Sequence, residues 1–98
     1  MSTPYPRHIF LIGMIETNDA ALIRTTSDLG QVVRAARKGV GFDQAKAAGL
    51  AGVGTRFLGE LERGKATLRM GLALQVLDRL GLEVWVGPRG SFRRARRT

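Results

Sequence analysis

The sequence predicts a mainly α-helical domain of four to five short helices, ended by one short β-strand. Three observations predict it. Apolar residues recur at helical spacing between Leu29 and Leu80. Glycines at 39, 41, 52, 64 and 81 punctuate that rhythm. Leu82-Glu83-Val84-Trp85-Val86 then alternates with period two, the pattern of a strand. A chain of 98 residues holds one such domain and a modest core.

Each element has its own start and stop. Thr26-Ser27-Asp28 is a cluster of N-cap residue types. Leu29, Val32, Val33 and Ala36 follow at helical spacing, with Arg34, Arg37 and Lys38 beside them, and Gly39 and Gly41 stop the run. The first helix is expected at about 28–38. Asp43 can cap a second helix over 44–51, made almost wholly of small residues and broken by Gly52. A third, over 55–62, ends at Gly64. Thr67 can cap a fourth over 68–80, with Met70, Ala73, Leu74, Leu77 and Leu80 as its apolar positions. The strand at 82–86 is alone, and its backbone groups need a partner. A symmetric copy of the chain would supply one.

The termini read differently. Residues 1–26 carry no net charge, and Met1 to Gly13 show no clear periodicity, which suggests a flexible arm over 1–26, and Met14 is an alternative initiation position. Residues 87–98 hold five arginines and no acid, an expected disordered tail. They supply most of a formal charge of +8. Such an excess points to a polyanion. Other classes are excluded or weakened. There is no cysteine, one histidine (His8) and three serines, so thiolate metal sites and Ser/His/Asp chemistry have no material. No enzyme and no cofactor is expected. The longest apolar run, 9–15, is far short of the ~20 residues of a membrane span, and a cytoplasmic protein is the expectation. Residues 49–56 faintly echo a phosphate-binding loop, but Thr55 stands where its lysine belongs.

The functional signal is the spacing of the second and third helices. Two short helices joined by a tight glycine turn form a helix-turn-helix. With Gln44 as first residue, Ala48 falls fifth, where the helices cross and only a small side chain fits. Gly52 falls ninth, in the turn. Ala47, Ala51, Val53, Leu58 and Leu61 fall fourth, eighth, tenth, fifteenth and eighteenth, facing the core.

These residues, with Phe57-Leu58-Gly59-Glu60-Leu61-Glu62-Arg63-Gly64-Lys65, resemble the Xre-type (phage repressor/Cro-like) helix-turn-helix family. The continuation through Thr67-Leu68-Arg69 and Leu77-Asp78-Arg79-Leu80-Gly81-Leu82-Glu83-Val84 is similar to the HipB-like antitoxins of type II toxin–antitoxin systems. The likeness spans about residues 23–86. It implies a domain over 27–81, a dimerisation strand over 82–86 and a homodimer. It also implies a palindromic double-stranded DNA operator with half-site centres roughly 34–36 Å apart. The operator would lie upstream of the protein's own operon, and the partner would be a HipA-like Ser/Thr kinase toxin, held inactive.

The resemblance also assigns residues. Gly54, Thr55, Arg56 and Gly59 take the groove-facing positions of the third helix; two glycines leave few side chains for reading bases. Arg56 is the best base reader, since arginine bonds guanine O6 and N7 together, although it could pair with Glu60 instead. Gln44 braces a phosphate or serves only the helix N-terminus. Arg63 and Lys65 suit phosphates, as does Lys38, unless they are ordinary solvated residues. Glu62 is read as structural, through a hydrogen bond or ion pair. Leu82, Val84, Trp85 and Val86 form the dimer strand, with Trp85 pointing opposite to the other three. Arg93 and Arg94 in the tail contact DNA or a partner, or only add solubility. Competing readings are a stand-alone regulator without a toxin and, in a different class, an RNA-binding protein driven by the arginine tail.

Overall fold

The computed structural model describes residues 20–92. Among the described residues four helices follow one another: α1 (Thr26–Gly39), α2 (Gln44–Ala51), α3 (Thr55–Glu62) and α4 (Met70–Arg79). α1 packs on α3, and α2 packs on both α3 and α4. The Arg93 and Arg94 positions, the rest of the tail beyond 92 and the arm up to 19 lie outside the described residues.

α1 starts earlier than its cap cluster suggests. Thr25 is the N-cap, and its hydroxyl accepts the Asp28 N–H at 3.1 Å. The Asp28 carboxylate returns to the N–H groups of Thr25 and Arg24, at 3.1 and 2.9 Å, completing a capping box. Thr26, expected in the cap, instead donates its hydroxyl to the Gly64 carbonyl across the domain, at 2.7 Å. That long-range bond takes Thr26 out of the cap, and the helix begins two residues earlier than expected.

α2 and α3 have the expected bounds. Asp43 caps α2 by accepting the Lys46 N–H at 2.8 Å. α4 is shorter than expected. Its N-cap is Arg69, with no side-chain bond, and not Thr67. Leu68 is drawn onto the core before the helix begins, so the preceding residues turn instead of coiling.

The core is small and dense in alanine. Val33, Ala47, Ala48, Ala51, Leu58, Leu61, Ala73, Val76, Leu77 and Leu80 are buried together, with Phe57 and Val53 partly buried against them. All the alanine and leucine positions assigned to the core by the motif register are inside. Met70 and Leu74, read as apolar positions of the fourth helix, are exposed.

Residues 82–87 form no strand among the described residues. Leu82 turns back onto the core, its N–H donating to the Leu77 carbonyl at 2.9 Å. Val84, Trp85 and Val86 are all exposed. The reason is physical: a ladder needs a second strand, and the described residues offer none.

Candidate nucleic-acid interface

The turn between α2 and α3 sets their crossing. Gly52 adopts φ +74°, a region that side chains with a Cβ rarely visit. The Val53 N–H then reaches back to the Ala48 carbonyl at 3.0 Å. The last carbonyls of α2 are taken by α4: Gln75 donates to the Ala51 carbonyl at 2.7 Å and Arg79 to that of Leu50 at 3.4 Å. Neither residue stood out in the sequence, since carbonyl acceptors of a helix end leave no side-chain signature.

The other face of α3 rests on α1 at very short range. A Cβ on Gly30 would lie 2.4 Å from the Leu61 carbonyl oxygen. One on Gly64 would lie 2.6 Å from the Ser27 Cα. Backbone therefore meets backbone, and α3 has little freedom to slide.

A buried ion pair locks the same junction. Arg37 stands with Arg34 and Lys38 in the basic run of α1, but its side chain is only 9% exposed and that of Glu62 only 4%. Arg37 Nε and Nη2 donate to the two Glu62 oxygens at 2.6 and 2.9 Å, and Nη1 donates to the Phe42 carbonyl at 2.8 Å. Gln44 Nε2 adds a bond to Glu62 Oε1 at 3.0 Å. Burial pushes the Glu62 carboxyl upward, but the hydrogen bonds from Arg37 and Gln44, with the charges of Arg37 and Arg34, carry it below its ordinary value. The hydrogen bonds to Glu62 raise Arg37 in turn. Glu62 is thus structural, and Gln44 spends its amide on it. The signal for Arg37 was its place four residues after Val33, inside the buried stripe.

Outside this lock, Gly54, Thr55 and Arg56 open α3 and are exposed. Gly54, the N-cap, offers no side-chain bond to the first turn. Gly59, expected to face the groove, is buried; a Cβ there would be 3.2 Å from Arg63 Nη1 and 3.6 Å from Gln44 Oε1. It is the floor beneath two side chains assigned to phosphates, and brings them together. Arg56 Nε lies 3.4 Å and Lys65 Nζ 3.5 Å from the same oxygen, Glu60 Oε2. Burial raises the Glu60 carboxyl, yet the Lys65 charge and the bonds from Arg56 and Lys65 bring it below the ordinary value. Lys38 is exposed in the last turn of α1.

Among the described residues there is no group of three His, Cys, Asp or Glu that could hold a metal, and no helix long and apolar enough to cross a membrane.

No family model matches the chain. It is 46% identical over 65 residues to the uncharacterized HTH-type transcriptional regulator y4mF of Sinorhizobium fredii, an alignment covering 66% of this chain and 86% of that one. That likeness joins the crossed pair α2–α3, its glycine turn and its exposed basic edge: the chain belongs to the family of HTH-type transcriptional regulators.

Proposed function

We propose that the protein is a sequence-specific DNA-binding antitoxin that acts as a homodimer, represses its own operon and neutralises a HipA-like Ser/Thr kinase. The observation that carries the DNA half is the edge of α3. Thr55 and Arg56 stand exposed at its start, with Lys65 and Arg63 beyond its end. α3 enters the major groove by that edge. Arg56 meets a guanine, Thr55 a base or methyl group, and Gln44, Arg63, Lys65 and Lys38 take phosphates. The Gln44 contact comes through its backbone N–H at the α2 terminus, since its amide nitrogen serves Glu62. Gly54 lets backbone approach the bases closely, and Gly59 supports from beneath.

The antitoxin half rests on the resemblance through residues 67–84 and on the exposed apolar segment Val84–Trp85–Val86. Two such segments pair across the dimer axis, giving 82–86 the partner strand it lacks among the described residues. The arginine tail, with Arg93 and Arg94, adds phosphate contacts or docks on the kinase. A second reading, a stand-alone regulator, is favoured by the description of the Sinorhizobium relative as a transcriptional regulator.

A fluorescence-anisotropy titration tests the DNA reading. It compares DNA from upstream of the protein's own gene with scrambled DNA of equal length, at low and physiological salt. A preference that survives physiological salt is the expected result. Equal binding that collapses with salt overturns it. A kinase-like neighbouring gene whose product co-purifies with the chain separates antitoxin from stand-alone regulator.

A further inference from the structure

We propose that Glu60 is a positioning residue for base reading: it holds Arg56 by one edge so that the guanidinium meets guanine end-on, and it restrains Arg56 and Lys65 from engaging DNA of the wrong sequence. The inference rests on the DNA reading above and deepens it.

One carboxylate oxygen serves both cations, with Arg56 Nε at 3.4 Å and Lys65 Nζ at 3.5 Å. The Glu60 side chain is 19% exposed, whereas that of Arg56 is 90% exposed. The acid is therefore fixed against the helix, and the arginine moves relative to it. A guanidinium can present two N–H groups side-on, through Nε and one Nη, or end-on, through both Nη atoms. Contact at Nε uses the side-on edge and leaves the end-on pair for O6 and N7 of one guanine.

The charge has a second effect. A carboxylate on a DNA-facing edge is repelled by phosphates unless cations stay beside it. With Lys65 on a phosphate, Arg56 is the cation left beside Glu60, and when no guanine is in place Arg56 swinging to a phosphate as well leaves Glu60 uncompensated. Wrong sequences are thereby disfavoured. An exposed pair like this adds little to folding, so selection for stability alone does not account for it.

The test is selection from a random duplex library, with sequencing of bound DNA, followed by anisotropy on the enriched duplex and its scramble. Wild-type chain, Glu60→Gln, Arg56→Ala and the double variant are compared. Glu60→Gln should bind the scramble several-fold more tightly. It should lose about tenfold in the ratio of enriched to scrambled affinity, within the range of one bidentate arginine–guanine contact. The loss should fall on one guanine per half-site, and the dependence of log K on log salt should steepen by about one phosphate contact. In the Arg56→Ala background the Glu60 change should no longer alter that guanine preference. Circular dichroism checks the fold. Glu60→Asp, which keeps the charge but withdraws it by one methylene, is the second variant. It should loosen the guanine preference without tightening binding to the scramble, and it decides the matter if Glu60→Gln does not fold. No enrichment by wild-type chain overturns the DNA reading and the inference with it. Enrichment by wild type with an unchanged preference in the Glu60 variants, or an equal Glu60 effect with Arg56 absent, overturns the inference alone.

Discussion

Arg37 is a buried charge behind the candidate interface. It joins α1 to the end of α3 through Glu62 and to the α1–α2 turn through the Phe42 carbonyl. Removing one partner of a buried pair leaves the other charged without compensation, which costs about 3–5 kcal/mol. Arg37→Met should therefore lower the urea-unfolding free energy by about that amount. Adding Glu62→Leu should restore part of it, since an apolar replacement of the whole pair is cheaper than half of it; no restoration would mean that Arg37 acts by packing alone. The pair also fixes a pH dependence. The Glu62 carboxyl lies below its usual 4.5 in the folded chain, so the unfolded chain binds the proton first. Its contribution is complete above about 4.5 and is lost as pH falls through the lowered value. Asp28 is lowered as well, first by the Arg24 N–H, and adds the same sign. Urea midpoints between neutral pH and about pH 3 should fall in wild type and fall less in Arg37→Met, with the Asp28 part remaining. A residue such as Arg37 was only half legible in the sequence. Its register with Val33 placed it inside, while its charge placed it outside, and only the position of Glu62 on another helix decides between them.

Helices whose boundaries are set locally were readable, and those set by contact across the domain were not. Asp43 and Gly52 bracket α2 by their own backbone preferences, so 44–51 follows from the chain alone. α1 and α4 begin where Thr26 meets Gly64 and where Leu68 meets the core, contacts made by residues far apart in sequence. The same contrast separates two glycines. Gly30 faces α3 with no room for a methyl group, its Cβ position lying 2.4 and 2.5 Å from two carbonyl oxygens. Gly49, in mid α2, has nothing within 4 Å. Gly30→Ala should force α1 off α3 and lower the melting temperature sharply, at a cost beyond the ~1–3 kcal/mol of ordinary overpacking. Gly49→Ala should raise stability by about 0.5–1 kcal/mol through helix propensity, read as a shift of several degrees. Equal effects would mean that the close approach of α1 and α3 does not hold in solution. Gly30 was invisible in the sequence for the reason that makes it matter, since the surface it touches belongs to residues more than thirty positions away.

At the scale of the whole molecule, the strand was legible as a pattern and absent as a structure, because hydrogen-bonded pairing is a property of two segments. Val84, Trp85 and Val86 are 57, 75 and 96% exposed, a run of apolar surface that a soluble monomer has reason to avoid. In the proposed homodimer a two-fold axis through the middle of 82–86 sets Val84 against its own copy. Val84→Asp would then place two carboxylates opposite each other, where like charges destabilise pairing. Sedimentation should give the wild-type chain about twice its 10.7 kDa mass and Val84→Asp a mass near the monomer, with helix content by circular dichroism unchanged. Val84 is exposed and not part of the buried core cluster, so loss of helix would point to a different role for this segment. The same substitution should reach the DNA through geometry. A dimer binds two half-sites with one translational cost, and a monomer binds each alone, so affinity for DNA carrying both half-sites should fall much more than affinity for a single half-site. Equal losses on both would place the effect of Val84 in the recognition helix and remove the two-fold pairing as the device that sets operator spacing.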